Sequence, residues 1–215
     1  MEQSPPQFVD PAVSRAKFDR EVADYRAHER DYRRRGWILL EASFPKVLVA
    51  LAAPQLSPPA IVTGVLLDYT NYDAEPPSVR LVDPFTEEPF PHDKLPTKLL
   101  RGTPLGLANG ALPPGVQLPP GLPPGIPINV VQQQPLMQWY EGEVPFLCLP
   151  GVREYHCHPA HSGDAWELHR CTGAGRIVRL LDVIDTYGIK PLTGYSVNVQ
   201  ITAQITGFDQ GQPPA

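Results

Sequence analysis

The chain is short of cysteine, of basic charge and of long apolar runs, and each shortage excludes a class of protein. Three cysteines among 215 residues are too few, and odd in number, for a disulfide framework, which points to a reducing compartment. Lysine and arginine together number 18 against 23 aspartates and glutamates, a formal net charge of −5. A nucleic-acid binder ordinarily carries a basic face, so neither DNA nor RNA is expected as a partner. No run reaches the ~18 apolar residues of a membrane span. The opening MEQSPPQFVDPAV lacks the basic and apolar regions of a secretory signal. The expectation is a soluble cytoplasmic protein with no membrane contact.

Proline, by contrast, is abundant: 28 residues, against an ordinary usage of about 5%. Many fall in residues 101–135, where Leu-Pro-Pro-Gly recurs at Leu112, Leu118 and Leu122. Such a stretch forms neither a regular helix nor a central strand. It reads as an extended, polyproline-like insertion serving as a linker, with docking to a partner as the alternative.

The rest of the chain shows regular patterning. Asp10 suits a helix cap, Pro11 the first helical position and Gly36 the stop, so residues 10–36 read as one helix with Phe18, Val22, Tyr25 and Tyr32 near one face. Its charged end, RAHERDYRRR, is a solvated face or a partner-binding one. WILLEA, FPKVLVALAA, PAIVTGVLLDYT and PPSVRLVDP are short apolar runs between proline and turn residues, the pattern of an antiparallel meander. Ile177, Leu180, Leu181 and Ile184 have helical spacing, with Gly188 just past the expected end. Val197, Val199, Ile201, Ala203 and Ile205 alternate as in a half-buried strand. The expected fold is α+β: N-terminal helix, antiparallel β-meander, irregular His-rich segment, helix and C-terminal strand. The organisation is one domain over 10–207 carrying the insertion at about 101–135, with flexible ends at 1–9 and 208–215.

Chemistry concentrates in CLPGVREYHCHPAHSGDAWELHR, residues 148–170. If REYHCHP is a strand, its period of two turns Glu154, His156 and His158 to one side. A bend at Pro150-Gly151 can return Cys148 to the same side. Thiolate, imidazole and carboxylate together favour zinc. The alternative is a polar strand edge whose histidines bond to backbone or water. His161 is a substitute ligand, and Asp164 a group that could hold a histidine tautomer. Trp166 reads as a core anchor. Cys171, close ahead of the helix, is a candidate nucleophile.

The order of elements resembles the ubiquitin-conjugating enzymes. FPKVLVALAAP is similar to their early strands, and LDYTNYDAEPPSVRLVDPFT to the segment with a Pro-Pro pair before a strand. YHCHPAHSGD resembles the region of their His-Pro-Asn signature, and RIVRLLDVIDTYGI the helix after the active-site loop. Two departures stand out. Ala160 replaces the signature asparagine, which in that family supports the loop and helps stabilise an oxyanion. The nucleophile's usual position, counted from His158, falls on Leu168, and Cys171 lies three residues beyond it. The set Cys148, Glu154, His156 and His158 further resembles a predicted metal-binding family named for those four residues. That family is known from bacterial operons that also encode ubiquitin-like proteins, activating enzymes and JAB-type peptidases.

Three functions follow from these readings. The first is a metal-binding, non-catalytic relative of the conjugating enzymes, acting as scaffold or binding partner for a ubiquitin-like protein or for the activating or conjugating enzyme of its pathway. The second is an active conjugating enzyme forming a thioester at Cys171. The third is a stand-alone zinc metalloenzyme with Glu167 or Asp164 as base.

Overall fold

A computed structural model describes residues 6–104 and 131–196. Helix α1, Pro11–Ala27, starts as expected: Asp10 accepts from the N–H of Ala12 at 2.8 Å, with proline at the first helical position. Phe18, Val22 and Tyr25 are buried on its inner face. The helix expected to run unbroken to Gly36 instead breaks at His28 (φ −120°, ψ 13°), and α2, Glu29–Arg34, is a separate turn that buries nothing. The break seats Tyr32 between Tyr25 and Trp37, with ring centroids 4.9 and 5.1 Å away. Gly36 then turns the chain at φ 90°, where a Cβ would lie 2.3 Å from the carbonyl oxygen of Ala52.

Four strands follow: β1, Trp37–Ser43; β2, Lys46–Ala53; β3, Ala60–Asp68; and β4, Ser78–Val82. They pair antiparallel in sequence order. Registers such as Leu39↔Val49, Val49↔Val65 and Val65↔Leu81 bring alternate apolar residues onto one face. Val47, Val49, Leu51, Val65, Leu67, Val79 and Leu81 share that core with α1. Full burial of side chains of this size contributes roughly 1.5–3 kcal/mol each. Phe18 wedges edge-on between Phe44 and Tyr69, at 5.6 and 5.8 Å.

After β4 the chain passes through the short 3₁₀ turn His92–Lys94 and enters β5, Leu100–Pro104, which pairs antiparallel with β6, Val131–Pro135. The extended insertion expected at about 101–135 thus begins and ends in a two-stranded ladder. Arg101–Thr103 and Gln132–Gln134 keep their N–H donors, and the prolines sit at the ladder's ends, where a missing donor costs least. The outermost pairs are Leu100↔Pro135 and Pro104↔Val131. The Leu-Pro-Pro-Gly repeats, in 105–130, lie outside the described residues. A two-residue pair, β7 (Met137–Gln138) with β8 (Phe146–Leu147), follows.

Beyond a single helical turn, α3 (Arg153–Cys157), helix α4, Ile177–Ile184, buries Ile177, Leu180, Leu181 and Ile184 as the spacing predicts. It runs on as a π turn, Asp185–Ile189. Gly188, expected just past the helix, lies inside that turn, where a Cβ would stand 3.0 Å from Leu99 Cδ2. Tyr69 ties the start of this layer to the sheet by donating to the carbonyl of Gly175 at 3.1 Å. The expected strand at 197–205 lies outside the described residues. The architecture is α+β, with α1 and α4 packed against an antiparallel meander. Among the described residues no helix is long and apolar enough to cross a membrane.

Candidate functional site

The His-rich segment is hung from the end of the meander by Arg153. This residue is buried: its N–H donates to Pro77 O at 2.9 Å, and its guanidinium to Thr70 O at 2.5 Å and Asp68 O at 3.4 Å. From that anchor, Arg153–Cys157 winds as one helical turn, α3. The strand expected through REYHCHP is thereby corrected. Successive residues of a helix point about 100° apart, so His156 turns away from Glu154, while Glu154 and His158 border one cleft. A five-residue run between Gly151 and Pro159 suits helix or strand equally, and Arg153's partners, some eighty positions back in the chain, decide the matter.

Each proposed zinc ligand has its own surroundings. Glu154 accepts from Ser78 Oγ, lies 3.4 Å from Val79 N and pairs with Arg80 at 3.4 Å. His156 has both ring nitrogens committed: Nε2 accepts from Gly151 N at 3.1 Å, and Nδ1 faces the carbonyl of Asp164 at 2.8 Å. Burial moves its pKa down from the ordinary histidine value, in keeping with a neutral ring. His158 stacks on Tyr140 at 4.5 Å and on Phe146 at 5.4 Å, with Nδ1 accepting from Ala160 N. Cys148 instead meets His161, the substitute ligand, with Sγ 3.4 Å from Nε2. As placed, these side chains are engaged separately, and among the described residues no group of three or more His, Cys, Asp or Glu side chains is gathered at one point.

The groups that do converge lie around Asp164. Its Oδ2 accepts from Tyr155 OH at 2.6 Å, its Oδ1 lies 2.5 Å from His169 Nε2, and its carbonyl takes His156. The hydrogen bond from His169, more than that from Tyr155, holds the Asp164 carboxyl below its ordinary pKa. Tyr155 is pushed up to about 12, by burial first and by Asp164 second. The same Tyr155 ring stacks on His161 at 4.1 Å, tilted by 24°. Asp164, read from sequence as a holder of histidine tautomers, thus holds two histidines. Tyr155, which joins it to the Cys148–His161 pair, was not singled out, because it sits on the wrong parity for the strand reading.

Cys148 is half-buried, whereas Cys157 and Cys171 are exposed. Burial raises the Cys148 thiol, with Arg101 opposing. Cys171 sits in the 3₁₀ turn Arg170–Thr172, six residues before α4 begins. The helix-terminus environment expected for it is not present. Trp166 is buried, as expected of an anchor, and donates from Nε1 to Asp73 O at 2.9 Å. Glu167 lies exposed on the neighbouring turn. Two clefts border the segment. One, of about 530 Å³, is lined by Arg80, Phe146, Glu154, Cys157 and His158 among others. The other, of about 260 Å³, lies between Arg101, Gln134, Leu136, Gln138 and Cys148.

Residues 9–192 match the Y4jH-like family, described as the Y4jH family. The chain belongs to the Y4jH family. It is 41% identical over 201 residues, 91% of each chain, to "Uncharacterized protein y4jH" of Sinorhizobium fredii (strain NBRC 101917 / NGR234). The span shared with the Y4jH family runs from ahead of α1 to beyond the π turn. It takes in the whole Asp164 network and the Cys148–His161 pair.

Proposed function

We propose that this Y4jH-family chain is a conjugating-enzyme-like binding component of a bacterial ubiquitin-like protein pathway. It engages a ubiquitin-like protein, or the activating or conjugating enzyme that carries one, and holds no thioester at Cys171. The carrying observation is the state of the loop that follows the His158-Pro159 pair. Asp164 closes that loop on itself through Tyr155, His156 and His169. Cys171 stands outside the closure, exposed in its short turn, and among the described residues no hydrogen-bonding group meets its thiol. A cysteine nucleophile needs a neighbouring base or an electropositive setting to reach its reactive form. The order helix, four-stranded meander with the Pro76-Pro77 pair ahead of its last strand, irregular loop and helix supports the kinship with conjugating enzymes. Leu168, 67% exposed beside the loop, offers a partner an apolar contact.

Size-exclusion and calorimetric binding to a ubiquitin-like protein and to its activating enzyme test this reading. Complex formation is expected for the unmodified chain and for Cys171→Ala, with Leu168→Asp weakened. An ATP-dependent adduct, cleaved by thiol reductant and lost in Cys171→Ala, would overturn it.

A further inference from the structure

The geometry points to a nucleophile–base pair at Cys148 and His161, built to take up the acyl group of a thioester or activated ester. This goes beyond the binding reading and does not depend on it. Three observations carry it. The Cys148 Sγ lies 3.4 Å from His161 Nε2, within reach of an S–H···N hydrogen bond. The base is itself oriented, because the Tyr155 ring lies flat against the imidazole at 4.1 Å and its hydroxyl is held by Asp164 at 2.6 Å. Nucleophile, base and a third group that fixes the base are the signature of covalent catalysis. Finally, Cys148 borders the cleft of about 260 Å³ that also presents Arg101, Gln134 and Gln138. A cation and side-chain amides are the donors that a developing oxyanion requires.

The step balances without an added oxidant or reductant. Sγ attacks the acyl carbon while its proton passes to His161 Nε2. The bond from the acyl carbon to the departing sulfur or oxygen breaks, and His161 returns the proton to that leaving group. The acyl group stays on Cys148 as a thioester until water or an amine takes it. The cleft is smaller than the roughly 300–1,000 Å³ of ordinary ligand pockets, so it admits a small acyl group or the narrow end of a chain. The backbone around the thiol is fixed by Cys148 N donating to Leu136 O at 2.7 Å.

p-Nitrophenyl acetate supplied to the full chain in buffer with and without EDTA, followed by peptide mass spectrometry at acidic pH, tests the pair without any protein partner. The expected acetyl adduct is on Cys148, formed about tenfold or more faster than on Cys157 or Cys171 although both are more exposed. His161→Gln is expected to remove that advantage, and urea-unfolded chain to label all three alike. Because the ranking of the three thiols is read in the unmodified protein, it stands even if a variant misfolds. Labelling that follows exposure, with Cys148 slowest, overturns the proposal. So does a folded His161→Gln variant that labels Cys148 at the unmodified rate, or a Cys148 that reacts only once EDTA has stripped a metal from it. Failure here leaves partner binding untouched, and failure of partner binding leaves the acetyl adduct untouched.

Discussion

The backbone N–H of Gly151 donates to Nε2 of His156 across 3.1 Å. That bond exists only while Nε2 carries no proton, and the opposite ring nitrogen is spent on the carbonyl of Asp164. The folded protein therefore holds His156 neutral, with its pKa below 6.5. The contribution to stability is complete above the unfolded value and is lost as pH falls through 6.5 toward the folded one. Urea midpoints at pH 7.5 and 5.5 should show this loss in the unmodified chain and a smaller one in His156→Gln. Parallel changes in the two proteins would count against a neutral, locked ring.

Gly151 turns at φ 100°, and a Cβ there would stand 2.4 Å from the carbonyl oxygen of Ala174. Gly151→Ala should cost at least about 1–3 kcal/mol, from left-handed strain and from pushing the approach to α4 away. An unchanged urea midpoint would show that the loop yields freely.

Arg153 carries the whole His-rich segment on its hydrogen bonds to Thr70 and Asp68. Arg153→Met keeps the aliphatic bulk and removes the charged donors, for an expected loss of about 1.5–3 kcal/mol. Amide exchange should accelerate through residues 153–169 more than in the meander. Equal acceleration in both would mean that the residue is no local anchor.

Glu21 is almost fully buried in α1, where the backbone of Ile177 at the start of α4 and Arg176, 4.0 Å away, favour its charged form. Burial wins over these partners and raises its pKa above 4.5. Its stabilising contribution is then fully present below pH 4.5 and is lost as pH rises through the folded value. Glu21→Gln has no charge to bury, so its stability relative to the unmodified chain should improve between pH 4 and pH 7. Unfolding curves at the two pH values that drift the other way would reverse this assignment.

The elements legible in the sequence are those whose determinants are local. Asp10 and Pro11 announce α1, alternating apolar residues announce the meander, and Ile177 to Ile184 announce α4. The break at His28 was not legible, since it depends on Tyr32 stacking with Trp37 across the turn. The turn through Arg153–Cys157 escaped for a similar reason: Arg153's acceptors belong to β3 and the residue after its neighbour. In the site, His161 was noticed as a partner for Cys148 and Asp164 as a holder of histidines. Their connection through Tyr155 appears only when the helical turn replaces the strand.

The β5–β6 ladder joins Pro104 to Val131 as cross-strand partners. The two strands therefore end side by side at Pro104 and Val131, in register, with a second pair closing the base at Leu100 and Pro135. Arg101 and Gln134, which line the cleft beside Cys148, are themselves cross-strand partners, so one rung of the ladder sets their separation. The cation and the amide beside the thiol therefore move apart only if the two strands themselves unzip, so the mouth of the cleft is as rigid as that ladder.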